Sequence, residues 1–235
     1  MQKVAITLKF SFQPSAVYFN ISGHFFGDAM ITIVDYEAGN LTSVKRALDY
    51  LSIKSIITPD PDIIRNAEKI IFPGVGHAAS AMTTLKERGI DVSLHEAFNK
   101  GTPILGICLG TQIILTHSEE GDTECLGIID GETRKFLLTD PLLKIPHMGW
   151  NTISIKKQHP MLKGIADETE FYFVHSFYPQ PSSCDNIVAE CEYELRFPAA
   201  IAQGTLFATQ FHPEKSGAAG LAILDNFATW NGESC

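Results

Sequence analysis

Cysteine is scarce in this 235-residue chain, and the five that occur (Cys108, Cys125, Cys184, Cys191, Cys235) are irregularly spaced and odd in number. That excludes a disulfide framework. With no C-x-x-C pair, a structural zinc site is not expected either. Positive charge is also short: 18 Lys and Arg against 27 Asp and Glu leave a net charge of −9. Such a surface repels phosphate backbones and anionic membranes, which argues against nucleic-acid or membrane binding. No stretch approaches the ~20 uninterrupted apolar residues of a membrane span. There is no G-x-x-x-x-G-K-[ST] loop for cradling nucleotide phosphates, and no internal repeat. What is present is 45% hydrophobic residues and 19% charged ones. That composition suits one folded domain in a reducing, cytoplasmic setting, with roughly 70% of the unfolded surface buried.

Residues 1–29 stand apart. Lys9 breaks the apolar run and no A-x-A-like site follows, so a secretory signal is not expected. The segment is read as an N-terminal extension, dispensable for function, with the domain proper over 30–235. From Met30 the pattern alternates short apolar runs with helical periodicity. Ile31–Val34, Ser55–Thr58, Lys69–Phe72 and Pro103–Ile107 read as strands. Leu41, Val44, Leu48 and Leu51 form one face of a helix behind Asn40, a good N-cap. Ala78–Arg88 and Asp91–Lys100 read as helices closed by Gly89 and Gly101, and Gln112–Thr116 as a further helix. Strands alternating with helices predict an α/β fold around a mostly parallel sheet. Beyond Asn151 the strands at 151–155, 170–174, 187–192, 199–201 and 206–210 follow one another with few helices between, an antiparallel extension of that sheet. A final helix spans Gly220–Trp230.

The sharpest local feature is Gly106-Ile-Cys108-Leu-Gly110 at a strand-to-helix junction. Glycines two before and two after a nucleophile permit the tight turn of a G-x-S-x-G elbow, here with cysteine in place of serine. The following helix start favours a thiolate, and the Leu109 amide points toward a developing oxyanion. Alone, such a pattern more often marks a buried packing cysteine. About a hundred residues later, Gln210-Phe-His212-Pro-Glu214 follows a strand and supplies a base with an orienting carboxylate. Other histidines (His24, His95, His117, His159) have no partner in the pattern and read as surface residues. His147 and Trp150 lie in HMGWN, read as a structural turn, and His175 reads as a satisfied core histidine.

The two features together resemble class I glutamine amidotransferases. DYEAGN (35–40), PGVG (73–76), HMGWN (147–151), FVHS (173–176) and QFHPEKS (210–216) resemble, within them, the glutaminase subunits of imidazole glycerol phosphate synthases in histidine biosynthesis. The resemblance runs from about Met30 to Trp230. Glu37 departs from it, standing where a glycine is usual.

The resemblance implies a flavodoxin-like fold and a triad of Cys108, His212 and Glu214. Cys108 would form a γ-glutamyl thioester, His212 would move the protons and Glu214 would orient it. The oxyanion hole would use Leu109 and the Gly74-Val75 loop; Gln112, Glu120 and Ser176 would hold glutamine. Asn40, Trp150 and Lys215 would face a partner subunit, a (βα)₈-barrel cyclase forming a heterodimer with this chain and receiving the ammonia. No cofactor or metal is implied. A related glutaminase subunit that serves amidation of a surface-polysaccharide sugar is the alternative with the same chemistry.

Overall fold

The computed structural model describes residues 29–37 and 39–233. The expectation for residues 1–29 therefore falls, apart from Ala29, outside the described residues, as do His24 and Cys235. Strand β1 (Ile31–Val34) leads into α1 (Leu41–Tyr50), then β2 (Ser55–Thr58), α2 (Pro61–Arg65) and β3 (Lys69–Gly74). Two helices, α3 (Ala78–Arg88) and α4 (Ile90–Asn99), meet at Gly89, whose φ of 67° closes one and opens the next. Then come β4 (Ile104–Cys108) and α5 (Leu109–Ile113). The predicted helix at Gln112–Thr116 thus begins earlier, directly at the residue after Cys108, and stops at Ile113.

The remainder is mostly sheet. Short strands β5 (His117–Ser118), β6 (Thr123–Glu124) and β7 (Gly131–Lys135) precede the long β8 (His147–Ile155) and β9 (Thr169–His175). They are followed by β10 (Phe177–Pro181), β11 (Ile187–Tyr193), β12 (Leu195–Gln203), β13 (Leu206–Thr209) and the closing helix α6 (Gly217–Thr229). Among the described residues, nine strands form one sheet in the order β2-β1-β3-β4-β13-β12-β11-β8-β9. Pairing is parallel from β2 to β13 and antiparallel from β13 outward. That is the α/β core with the expected antiparallel extension. A separate four-stranded sheet, β10-β7-β5-β6, was not expected. Three of its strands are short and polar, as in Gly131-Glu-Thr-Arg-Lys135, and the fourth, Phe177–Pro181, is broken by two prolines, so no apolar run announces them.

The parallel strands are buried on both faces, which is why ITIV, KIIF and ILGIC read as unbroken apolar runs. Alternate side chains divide between two cores. Ile71, Leu105 and Ile107 pack with Val44, Leu48, Leu224 and Phe227 of α1 and α6. Ile70, Phe72 and Ile104 pack with Ile64, Met82, Leu85 and Leu94 of α2, α3 and α4. The sheet's central strands, β3, β4 and β13, all end at the same edge, where β4 passes into α5. This is the carboxyl edge of a parallel sheet, the usual place for a site in such folds.

Two local readings are corrected. HMGWN is the first half of strand β8, paired with β9 from His147–His175 to Asn151–Phe171, not a turn. His159 is buried, 7% exposed, stacked near Phe207 and Trp230, with Nδ1 accepting the Met161 amide at 3.2 Å. His117, also read as a surface residue without a partner, is half-buried and 2.9 Å from Asp122.

Candidate active site

Cys108 ends β4 with φ 54° and ψ −104°, a conformation that costs an L-residue of order 1–3 kcal/mol and that the packing around it must hold in place. The cause is crowding at the turn. A Cβ on Gly110 would lie 1.9 Å from the Phe72 carbonyl oxygen on β3, so only glycine lets α5 start so close to the sheet. Cys108 itself is 6% exposed and opens onto a cleft of about 290 Å³. Val75, Gln112, Glu120, His175 and Ser176 are among the residues lining that cleft.

His212 leaves the end of β13 and is fully buried. Its Nδ1 lies 2.8 Å from Glu214 Oε1, and the Glu214 side chain is itself fully buried. Its backbone is pinned by a 2.9 Å bond from its N–H to the Tyr172 carbonyl and by Ser216 Oγ, which donates to the His212 carbonyl at 2.7 Å. Nε2 meets no hydrogen-bond geometry among the described residues, though the Cys108 sulfur is close enough to act on the ring. Burial disfavours the imidazolium, but the Cys108 sulfur's charge and hydrogen bonding, then the Glu214 carboxylate, outweigh it and raise His212 to about 10. The arrangement is a nucleophile, an imidazole that retains its proton at neutral pH, and a carboxylate fixing that imidazole.

The other expected residues fall around this centre. Gly74 sits opposite Cys108 in the β3–β4 register, which brings the Gly74-Val75-Gly76 turn beside the sulfur. Gly74 is obligatory here: a Cβ would meet the Tyr36 hydroxyl oxygen at 2.0 Å. That hydroxyl is buried with no hydrogen-bond partner among the described residues. Leu109 is the first residue of α5, and first-turn amides have no partner within their helix. Glu120 lines the cleft while its Oε2 accepts the Ala78 amide at 2.7 Å. Gln112 lines it too, but its Nε2 is committed to the Phe177 carbonyl (2.8 Å) and to Gln210 Oε1 (3.0 Å). Ser176 lies at the rim.

Asn40 is the N-cap residue of α1, as read, with its carbonyl accepting the Ser43 amide at 3.1 Å. Its conformation is left-handed (φ 63°) and its side chain makes no capping bond; instead Nδ2 donates to Glu214 Oε1. Glu37 also has positive φ, 67°, the physical reason a glycine is usual there; its carboxylate pairs with Arg88. Trp150, 54% exposed, lies edge-on to Tyr172 at 6.2 Å, and exposed Lys215 sits 6.0 Å from the same ring. Motif reading gave no role to Gln210 or Tyr36. The signal for Gln210 was its place directly after β13 and two residues before His212, where a polar side chain is fully buried.

The profile of class-I glutamine amidotransferases matches residues 32–230. The chain belongs to this family. Among curated relatives, the imidazole glycerol phosphate synthase subunit HisH of Nitratidesulfovibrio vulgaris (strain DP4) is 50% identical over 203 residues, 84% of this chain and 95% of that one. The subunit of the same name from Thiobacillus denitrificans is 44% identical over 209 residues, covering 86% of this chain and 91% of its own. The fold is shared with PurLQS from Thermotoga maritima, at a TM-score of 0.68 and 17% identity over 85% of this chain and 97% of that one.

Proposed function

We propose that this chain is the glutaminase subunit of an imidazole glycerol phosphate synthase, hydrolysing glutamine and passing ammonia to a (βα)₈-barrel cyclase subunit in the cytoplasm. The observation that carries the chemistry is the buried His212–Glu214 contact at 2.8 Å beside an elbow cysteine with φ 54°. The acceptor is argued from the names of relatives at 44–50% identity over nearly their whole length. The cyclase forms imidazole glycerol phosphate and releases aminoimidazole carboxamide ribonucleotide.

With the proton already on His212, the Cys108 thiolate attacks the amide carbon of glutamine. The carbonyl oxygen becomes an oxyanion received by the Leu109 amide and by an amide of the Gly74-Val75 loop. His212 gives its proton to the nitrogen as the C–N bond breaks, and ammonia leaves a γ-glutamyl thioester on Cys108. Neutral His212 then takes a proton from water, whose oxygen attacks the thioester. Glutamate departs, and thiolate and imidazolium are restored. Gln112, Glu120 and Ser176 are proposed to hold the substrate. Asn40, Trp150 and Lys215 are proposed to face the cyclase, and Asn40 ties that face to the Glu214 carboxylate. Residues 30–235 are proposed as the amidotransferase domain.

The test is a glutaminase assay of the chain with and without the candidate cyclase and its ribonucleotide ligand. Turnover is expected with the cyclase and a rate roughly 10²–10³ lower without it, the loss that accompanies one missing oxyanion donor. Cys108→Ala in the complex is expected to abolish glutamine-dependent synthesis and leave ammonia-dependent synthesis intact. Normal glutamine turnover by that variant would falsify the nucleophile assignment.

A further inference from the structure

Gln210 is completely buried between the strand end and the site, and three groups around it settle which way its amide points. The Phe177 carbonyl can only accept hydrogen bonds. It receives His175 Nδ1 at 2.7 Å and Gln112 Nε2 at 2.8 Å, so both must be N–H donors there. Turning the Gln112 amide over would set its oxygen against that carbonyl oxygen. The same Gln112 nitrogen also donates to Gln210 Oε1 at 3.0 Å. Turning Gln210 over would set donor against donor. One orientation of both amides therefore satisfies the network, and in it Gln210 Nε2 faces Cys108 Sγ at 3.7 Å, within reach of a hydrogen bond to sulfur.

From this geometry we infer that Gln210 binds the Cys108 thiolate: its amide N–H is a fixed donor to Sγ, and Gln112 is the positioning residue that holds that donor in the right sense. The Val174 carbonyl also lies 3.8 Å from the sulfur, where it can accept from a thiol but repels a thiolate. The Gln210 N–H, 3.7 Å from Sγ, offsets that repulsion. The amide carries no charge, so its contribution does not depend on the proton of His212. It acts on the sulfur in its two thiolate states, before attack on glutamine and again as the thioester gives the thiolate up. The remaining titratable groups around the site are His212 with Glu214 behind it, Tyr36, His175 and, across the cleft, Glu120.

The inference rests on the glutaminase reading for its consequence, but its central test does not need glutamine. The rate of Cys108 alkylation by iodoacetamide, followed by peptide mass spectrometry on the full chain, is measured across pH for the parent, Gln210→Met and Gln112→Met. The midpoint for Cys108 is expected to rise by about one pH unit in Gln210→Met, where the donor is gone and the shape is nearly kept. It should rise by less in Gln112→Met, where the donor is present but free to rotate. In the complex, kcat of Gln210→Met should fall about tenfold with KM changed less than about twofold. A folded Gln210→Met with the parent's alkylation midpoint overturns the inference, whatever happens to kcat, because a purely structural glutamine would not move the thiol. Should Gln210→Met fail to fold, side-chain amide resonances decide the matter: the Gln210 NH₂ signal must move in Cys108→Ala, and its failure to move overturns the proposal. A parent complex that does not hydrolyse glutamine sinks the functional reading and leaves the alkylation result standing on its own.

Discussion

The proton on His212 links chemistry, stability and pH. Its folded value of about 10 lies above the ordinary ~6.5 of an unfolded histidine, so the folded chain binds a proton that the unfolded chain has lost between those limits. The stability this contributes is complete below about 6.5 and vanishes as pH rises through about 10. The same proton is the one delivered to departing ammonia. In the complex, kcat/KM for glutamine hydrolysis, which reports the substrate-free site, is therefore expected to persist through neutral pH and to fall on an alkaline limb near 10. Glu214→Gln keeps an acceptor for one partner but removes the charge; it should move that limb to lower pH and reduce kcat by up to ~10⁴, as loss of the orienting carboxylate does in related triads. An alkaline limb unchanged in Glu214→Gln would show that the carboxylate does not set the His212 proton. Tyr36 supplies an opposite expectation. Its hydroxyl is buried without a partner among the described residues, and an unsatisfied buried group costs about 1–3 kcal/mol. Tyr36→Phe should leave the melting temperature unchanged or higher, and a clear fall in thermal scans would show that the hydroxyl has a partner in solution.

At the scale of elements, the well-read segments were those whose burial wrote a period into the sequence. β1, α1, β2 and α3 appear where the apolar spacing put them. The misread ones have local chemistry that competes with the period. Pro198 made β12 look as if it began at Ala199; the strand begins at Leu195 and carries the proline next to a register shift between Ala189 and Glu190. Pro61 opens α2 as its first residue, with Asp60 Oδ1 accepting the Asp62 amide at 2.8 Å, in a stretch where the sequence reading placed no helix. HMGWN was read as a turn by default, and its partners on β9 lie too far along the chain for a local signal to reveal. His159 was misplaced for the same reason. It caps the turn at Pro160–Leu162 and is held neutral by burial, its value lowered to about 4. A depressed histidine favours folding above about 6.5 and loses that contribution as pH falls toward 4. His159→Asn, which retains a capping acceptor without a titrating ring, should make the loss of melting temperature between pH 6.5 and 4 shallower. His147 and His175, likewise lowered by burial to about 4 and 3, keep the remainder of that acid sensitivity in place.

For the whole molecule, the two halves of the chain meet at the site in a way the sequence order conceals. The parallel half brings Cys108, and the strand that returns from the antiparallel half, β13, brings His212 into the same sheet beside β4. The triad was legible as two motifs; the wall between them, Gln112, Gln210, His175 and the Phe177 carbonyl, was not, because a hydrogen-bond network has no period. The family match begins at residue 32, one residue after β1 starts. The relatives at 44–50% identity likewise cover 84–86% of this chain. At the entry to β1 the Met30 amide donates to the exposed Glu68 carboxylate at 2.8 Å, and Met30 is 38% exposed. A chain beginning at Met30 would convert that amide into an ammonium group facing the same carboxylate. The hydrogen bond is kept and gains a charge, which for an exposed pair adds roughly 0.2–1 kcal/mol. The shortened chain is therefore expected to match or slightly exceed the parent in melting temperature, and to match it in cyclase affinity and glutaminase rate in the complex. Differential scanning calorimetry and titration with the cyclase check both. At this size about 1 kcal/mol corresponds to roughly 2–4 °C, so a fall of several degrees, or a weaker complex, would mean that residues 1–29 bury surface that β1 and its neighbours need.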